Sequence, residues 1–227
     1  MPRSAWYKFP PDTLPKLRAE LEQRYPTLHL FERAGFIELL GSFPIEHGGI
    51  EIDRFKIQIL LPPDFPKAPP FVWETAGRIP KILDRHIYPA SGNCCFFYPD
   101  EYRLLYPDGM SFFDFIQGPM RDYFLGQLAV EAGQPWPFGQ RAHGKDGAFE
   151  FYEEFFGVKG KEIVLNYLKC LAYETLKGHQ WCPCGSGRRL RNCHMTELSQ
   201  LRKRVPIDIA GGAFKRLGEP TASVKRP

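Results

Sequence analysis

The chain has no long hydrophobic run. No apolar stretch in its 227 residues approaches the ~20 needed to cross a bilayer, so a spanning helix is excluded and no membrane partner is expected. The opening stretch, MPRSAWYKFPPD, lacks the apolar region of a secretory signal, which makes a cytoplasmic protein the expectation. There is no internal repeat. There is no Gly-rich nucleotide loop of the expected type, so any ATP-driven activation must come from another protein. With 43% hydrophobic and 25% charged residues the balance is that of a soluble globular chain. The length allows one core of roughly 150 residues plus an appendage.

Charge of one sign does not dominate overall, with a net of +4, but it is unevenly placed. From Cys182 onward ten Lys/Arg face three Asp/Glu, while the preceding residues carry 20 basic and 23 acidic side chains. The basic segment suits an acidic protein surface or nucleic acid, or is simply a solvated tail. It has no accompanying aromatic stacking pattern, so nucleic acid is not the favoured partner. The six cysteines do not form a disulfide framework either. Cys94 and Cys95 are adjacent, Cys170 stands alone in a helical stripe, and Cys182, Cys184 and Cys193 are crowded. That usage indicates one reactive site and one metal site.

Leu14, Leu17, Leu21 and Tyr25 recur at helical spacing and predict an amphipathic helix over 12–25, ended with the help of Pro26. LHLFERAG and FIELLGSFPIE are rich in strand formers, and Gly48-Gly49 marks a turn. Phe55, Ile57, Ile59 and Leu61 then alternate with Arg54, Lys56 and Gln58, a half-buried strand. Five prolines between 62 and 70 forbid regular structure before a last short strand, PFVWET. The reading is α+β: a helix, a four-strand antiparallel meander, and C-terminal helices. Residues 110–130 predict a helix broken or kinked at Gly118-Pro119. Residues 133–148 read as loop, 161–177 as a helix striped by Ile163, Val164, Tyr167, Leu168, Leu171 and Ala172, and 217–227 as disordered.

Pro62, Phe65-Pro66 and Pro69-Pro70 are spaced P-x-x-F-P-x-x-P-P between two strands. A histidine, His86, follows, and then Gly92-Asn93-Cys94-Cys95 and an aromatic run ending at Pro99. Over residues 12–130 this resembles the ubiquitin-conjugating enzymes, and the aromatic run resembles bacterial members. The resemblance implies that fold, with Cys95 as the thioester-forming cysteine and His86 as a loop-supporting residue. The family's Pro-Asn after the histidine is replaced here by Ile87-Tyr88. The oxyanion donor that asparagine supplies must come from a backbone N–H or from the side chain of Asn93 or Tyr88. Asp100 and Glu101 are candidate bases. Cys94 is expected to point inward.

Cys182-Pro-Cys184 and Cys193-His194 give C-x-C-x8-C-H, with Gly185 and Gly187 for tight turning. Three thiolates and an imidazole complete a closed tetrahedral site, the pattern of structural Zn²⁺. The stretch resembles the SEC-C motif, a small docking module, in which Arg188, Arg189 and Arg191 would face a partner. His179 is a nearby histidine left out of the ligand set.

The expected organisation is a ubiquitin-conjugating-like core over 1–156, a connecting helix over 157–180, a SEC-C zinc motif over 181–195 and a basic C-terminal tail over 196–227. The resemblance implies an acyl transferase. It would carry a partner's C-terminal glycine as a cysteine thioester to an amine, supplied by a separate activating enzyme. In the antiphage operons where bacterial members occur, the acyl donor is a cyclic-oligonucleotide synthase. The chain ends Lys-Arg-Pro, so it is not itself expected to be the conjugated modifier. The alternative is a noncatalytic adaptor of the same fold.

Overall fold

The computed structural model describes residues 6–8, 10–139 and 141–219. The chain divides into two compact units, Met1–Phe97 with Leu105–Gln140, and Tyr98–Leu104 with Arg141–Pro227. This division differs from the partition expected at residue 156, because the helix ending there belongs to the second unit.

In the first unit α1 (Thr13–Arg24) buries Leu17 and Leu21. It stops where Tyr25, preceding Pro26, is pushed out of the helical region at φ −138°. Strands β1 (Leu28–Arg33), β2 (Phe36–His47), β3 (Ile50–Leu61) and β4 (Phe71–Glu74) pair antiparallel in sequence order. The meander predicted from alternation is present. Ile37, Leu39, Phe43 and Ile45 of β2 and Phe55, Ile57, Ile59 and Leu61 of β3 are buried on one face. On that face packs α4 (Arg121–Glu131), which follows α3 (Phe112–Phe115), with Phe124 4.6 Å from Phe55 and 5.9 Å from Phe43 between ring centroids. The proline bend is anchored by Trp6, whose indole N–H donates to the Pro62 carbonyl at 3.0 Å and whose ring lies on Phe65.

The interruption expected at Gly118-Pro119 takes the form of a π-helical turn rather than an end to the helix. Residues Ile116–Met120 form a π-helical turn that carries α3 directly into α4, with helical dihedrals on both sides. The wider turn accommodates Pro119, which has no N–H to contribute.

Gly41 sits on the buried face of β2 with φ 152°, and a Cβ there would fall 1.9 Å from the Thr27 carbonyl oxygen. Thr27 cannot retreat cheaply, since its carbonyl accepts the Ser42 N–H at 3.1 Å and its hydroxyl donates to the Ser42 carbonyl at 2.6 Å. Gly41→Ala is therefore expected to lower stability by about 3 kcal/mol or more. Urea denaturation checks it, and an unchanged midpoint would show that the β1 entry can move aside.

The second unit is helical. It contains α2 (Glu101–Leu105) up to Leu104, together with α5 (Gly144–Phe156), α6 (Lys161–Leu171), α7 (Met195–Arg204) and α8 (Ile207–Gly218). α5 begins inside the stretch read as loop. Gly144 and Gly147 are poor helix formers. Gly147 is needed because a Cβ would meet the Ala142 carbonyl oxygen at 1.8 Å. α6 ends at Leu171, short of the predicted 177. Residues 178–180 instead pair with the cysteine segment, Arg191 N–H to the Gly178 carbonyl at 3.0 Å and Leu190 N–H to the Gln180 carbonyl at 2.8 Å. The segment expected as a basic tail holds α7 and α8 through Gly218, burying Leu198, Leu201, Val205, Ile209, Ala210, Ala213 and Leu217. Of the residues expected to be disordered, 220–227 lie outside the described ones. Cys170 is half-buried, and burial raises its thiol above the ordinary value.

Candidate functional site

His86 to Cys95 form a small hairpin. The Cys95 N–H donates to the His86 carbonyl at 2.7 Å, and the Tyr88 N–H donates to the Asn93 carbonyl at 3.0 Å. Ile87 pairs antiparallel with Cys94 between them. Gly92, at φ 72°, makes the turn and donates its N–H to the Tyr88 carbonyl at 2.7 Å. The hairpin is tied to β4 by the Cys94 N–H to the Val72 carbonyl at 2.8 Å and by the Trp73 indole N–H to the Ser91 carbonyl at 2.9 Å.

Side chains alternate faces in such a ladder. Ile87 and Cys94 point inward, 2% and 3% exposed, while Cys95 is half-buried. Burial pushes the Cys94 thiol up to about 12, against hydrogen bonding with Tyr123. Cys94 is thus a protonated packing residue at neutral pH. The Cys95 S–H donates to the Tyr88 hydroxyl at 3.1 Å, with the Phe97 carbonyl at 3.8 Å.

His86 occupies the corner of the hairpin in the left-handed region, φ 49°. Its ring lies 4.3 Å from that of Trp136. Trp136 in turn lies against Gly126 of α4, where a Cβ would come within 2.6 Å of the indole. Next to the corner, the Arg85 carbonyl accepts from the Tyr123 hydroxyl at 3.1 Å and from the buried Gln127 amide at 2.7 Å. His86 therefore braces the loop through its ring and its carbonyl. Trp136, Tyr123 and Gln127 were not picked out from the sequence. The available signals were an aromatic inside a Gly- and Pro-containing segment and a lone amide in an apolar stripe.

Asn93 is 9% exposed and its side chain is used in the turn. Its Oδ1 accepts from the Ser91 hydroxyl and its Nδ2 donates to the Cys94 carbonyl. Asp100 and Glu101 are likewise engaged within the second unit. The Asp100 carboxylate accepts from the Tyr152 hydroxyl at 2.8 Å and from Arg216. Glu101 accepts from Arg141 at 2.8 Å and from the Tyr98 N–H at 3.0 Å. Both carboxylates anchor helices in that unit, which argues against the base role considered for them.

The second cluster is built by the turn between α6 and α7. Cys182, Cys184, Cys193 and His194 place their donor atoms within 4.8 Å of one another. The Cys184 and Cys193 sulfurs are 3.6 Å apart, and His194 Nδ1 lies 3.3 Å from the Cys182 sulfur and 3.2 Å from that of Cys193. Tetrahedral bonds to a Zn²⁺-sized ion would put such donors about 3.5–3.8 Å apart. The four residues could bind a metal ion, and His194 would do so through Nδ1. Gly185 and Gly187, at φ 78° and 68°, fold the first ligand pair back. Burial pushes the Cys182 thiol up to about 11. For Cys184, burial is outweighed by hydrogen bonds from the Ser186 hydroxyl and N–H and from the Cys182 and Cys193 thiols, which bring it down to about 6. His179 is not part of the group. Beside it, Arg189 stacks 3.8 Å over the exposed Trp181 ring and donates to the His179 carbonyl.

Among the described residues no helix is long and apolar enough to cross a membrane. No family model, curated protein or solved structure matches the chain.

Proposed function

We propose that this chain is a ubiquitin-conjugating-like acyl carrier that loads a partner's C-terminal carboxyl group onto Cys95 and passes it to an amine. The observation that carries this reading is the hairpin alternation. Of two adjacent cysteines it buries one and leaves Cys95 half-exposed beside a hydroxyl. A helix followed by a four-strand meander, with a proline-rich bend before its last strand, gives the element order that the resemblance implies.

Cys95 displaces the leaving group of an activated acyl donor, forming an S–C bond and releasing that group with its proton. An amine nitrogen then attacks the thioester carbonyl, the C–S bond breaks, and the sulfur recovers a proton as the amide forms. Thiolate chemistry suits both steps, since sulfur is a good nucleophile and a good leaving group. No bound cofactor takes part. The Cys182, Cys184, Cys193 and His194 cluster is read as a closed structural zinc site that holds the α6–α7 turn, with no catalytic role. The acyl donor the resemblance suggests is a cyclic-oligonucleotide synthase of an antiphage operon, activated by a separate enzyme.

One observation favours the adaptor alternative, namely that the Asn93 amide is engaged in the turn and leaves the family's usual donor unreplaced by another amide. Co-expression with neighbouring genes, followed by intact mass with and without reductant, decides between the two. The carrier reading expects a partner adduct that thiol reagent removes and that becomes a thiol-resistant ester in Cys95→Ser. Absence of any adduct beside an activated partner would favour the adaptor.

A further inference from the structure

We propose that the Tyr88 hydroxyl is the hydrogen-bond partner that holds the Cys95 sulfur ready as a nucleophile and stabilises it as a leaving group. This deepens the carrier reading and rests on it. Tyr88 is paired with Asn93 in the hairpin, so Cys95 is its diagonal neighbour two residues further along the opposite arm. A diagonal position is within reach of a long aromatic side chain. The ring spans it and sets Oη 3.1 Å from Sγ.

The chemistry of the partner matters as much as its position. A phenol both accepts and donates. In the resting thiol it accepts the S–H. When the sulfur has lost its proton the hydroxyl turns and donates, which favours the charged form. The Phe97 carbonyl at 3.8 Å can only accept, so it offers nothing to a thiolate. Titratable groups near the sulfur include Cys94 and, on α4, Tyr123, whose hydroxyl burial holds in its neutral form. His86 meets Cys95 through its carbonyl.

During transfer the amine nitrogen bonds to the acyl carbon and the C–S electron pair moves onto Sγ. The Tyr88 O–H donates to that sulfur as the bond breaks. The surplus ammonium proton then ends on the sulfur, restoring the thiol and leaving Tyr88 unchanged.

The test needs no acyl donor. The rate of Cys95 alkylation by iodoacetamide, followed by peptide mapping, is measured against pH in wild type and Tyr88→Phe. The variant keeps the ring and loses the donor. Its alkylation midpoint is expected to rise by about one pH unit, with the rate at neutral pH falling about tenfold. An unshifted midpoint in a variant with wild-type thermal stability overturns the proposal. Should the variant melt early, O-methyltyrosine at position 88 keeps the ring and the ether oxygen and removes only the donor. A raised midpoint then supports the proposal, and no shift overturns it. A shifted profile with no acyl adduct on co-expression supports the Tyr88 contact and overturns the carrier reading, so the two fail separately.

Discussion

Cys95→Ala is expected to abolish acyl carriage, and Cys94→Ala to leave it within about twofold of wild type. The two residues are neighbours in sequence and opposites in environment. Cys94 is 3% exposed, and its thiol is pushed up to about 12. At pH 7 burial keeps it protonated, and no acyl donor can approach it without opening the hairpin. Cys95 is half-buried, with a hydroxyl on its sulfur. Removing it leaves no nucleophile, so a loss of about 10³-fold or more in adduct formation is expected, limited by the assay background. Cys94→Ala removes one buried sulfur and is expected to cost only about 1 kcal/mol of stability. The adduct fraction by intact mass, read beside thermal melts, separates the effects. An adduct that survives Cys95→Ala and disappears in Cys94→Ala would mean that the hairpin register inverts in solution, and the assignment of faces would be wrong.

In the thiol loop the Gly-x-x-Cys spacing that singles out Cys95 was legible, while the pairing of Ile87 with Cys94 was not, because it depends on which residues of the hairpin face each other. The meander was legible because period-2 alternation such as Phe55, Ile57, Ile59, Leu61 depends only on which face is buried. What was not legible depends on contacts between distant residues. The onset of α5 is hidden by Gly144 and Gly147, and Gly147 is required by a close approach of Ala142 rather than by a turn. α6 looked longer because the stripe ends gradually. Pairing of 178–180 with the cysteine turn is what draws the chain away. α8 packs through Ile209, Ala210, Ala213 and Leu217 around Gly211-Gly212. Helices around 195–217 were expected, but Lys and Arg beside small residues and glycines do not show whether such helices pack against a core. Trp136 gave no sign of touching His86, because it needs the bare Gly126 beneath it, and nothing local links positions 86, 126 and 136.

On the reading of the Cys182, Cys184, Cys193 and His194 cluster as a structural metal site, removing the ion it would hold is expected to unfold the turn between α6 and α7. The turn has little else to hold it. Cys182, Pro183 and Leu190 are its buried residues, Trp181 is 63% exposed, and two glycines at positive φ favour the unfolded chain. Its ordered backbone contacts are a few hydrogen bonds, chiefly Cys182 N–H to the Arg188 carbonyl at 2.8 Å and the pairing of 178–180 with 190–191. Structural zinc sites supply on the order of 10 kcal/mol of apparent binding energy, which becomes folding energy when the ligands are scattered in the unfolded chain. His194 also starts α7, whose Leu198 and Leu201 enter the core of the second unit, so the loss should spread into that helix. Chelation, or Cys193→Ser, is expected to release about one equivalent of metal by elemental analysis. Hydrogen exchange should lose protection from 178 to about 204, while β2 and β3 of the first unit keep theirs. Cys170→Ser, half-buried on α6 and outside the ligand group, is expected to retain the metal. If exchange across 178–204 is unchanged after the metal is gone, the turn is held by its own packing and the cluster is not a structural metal site.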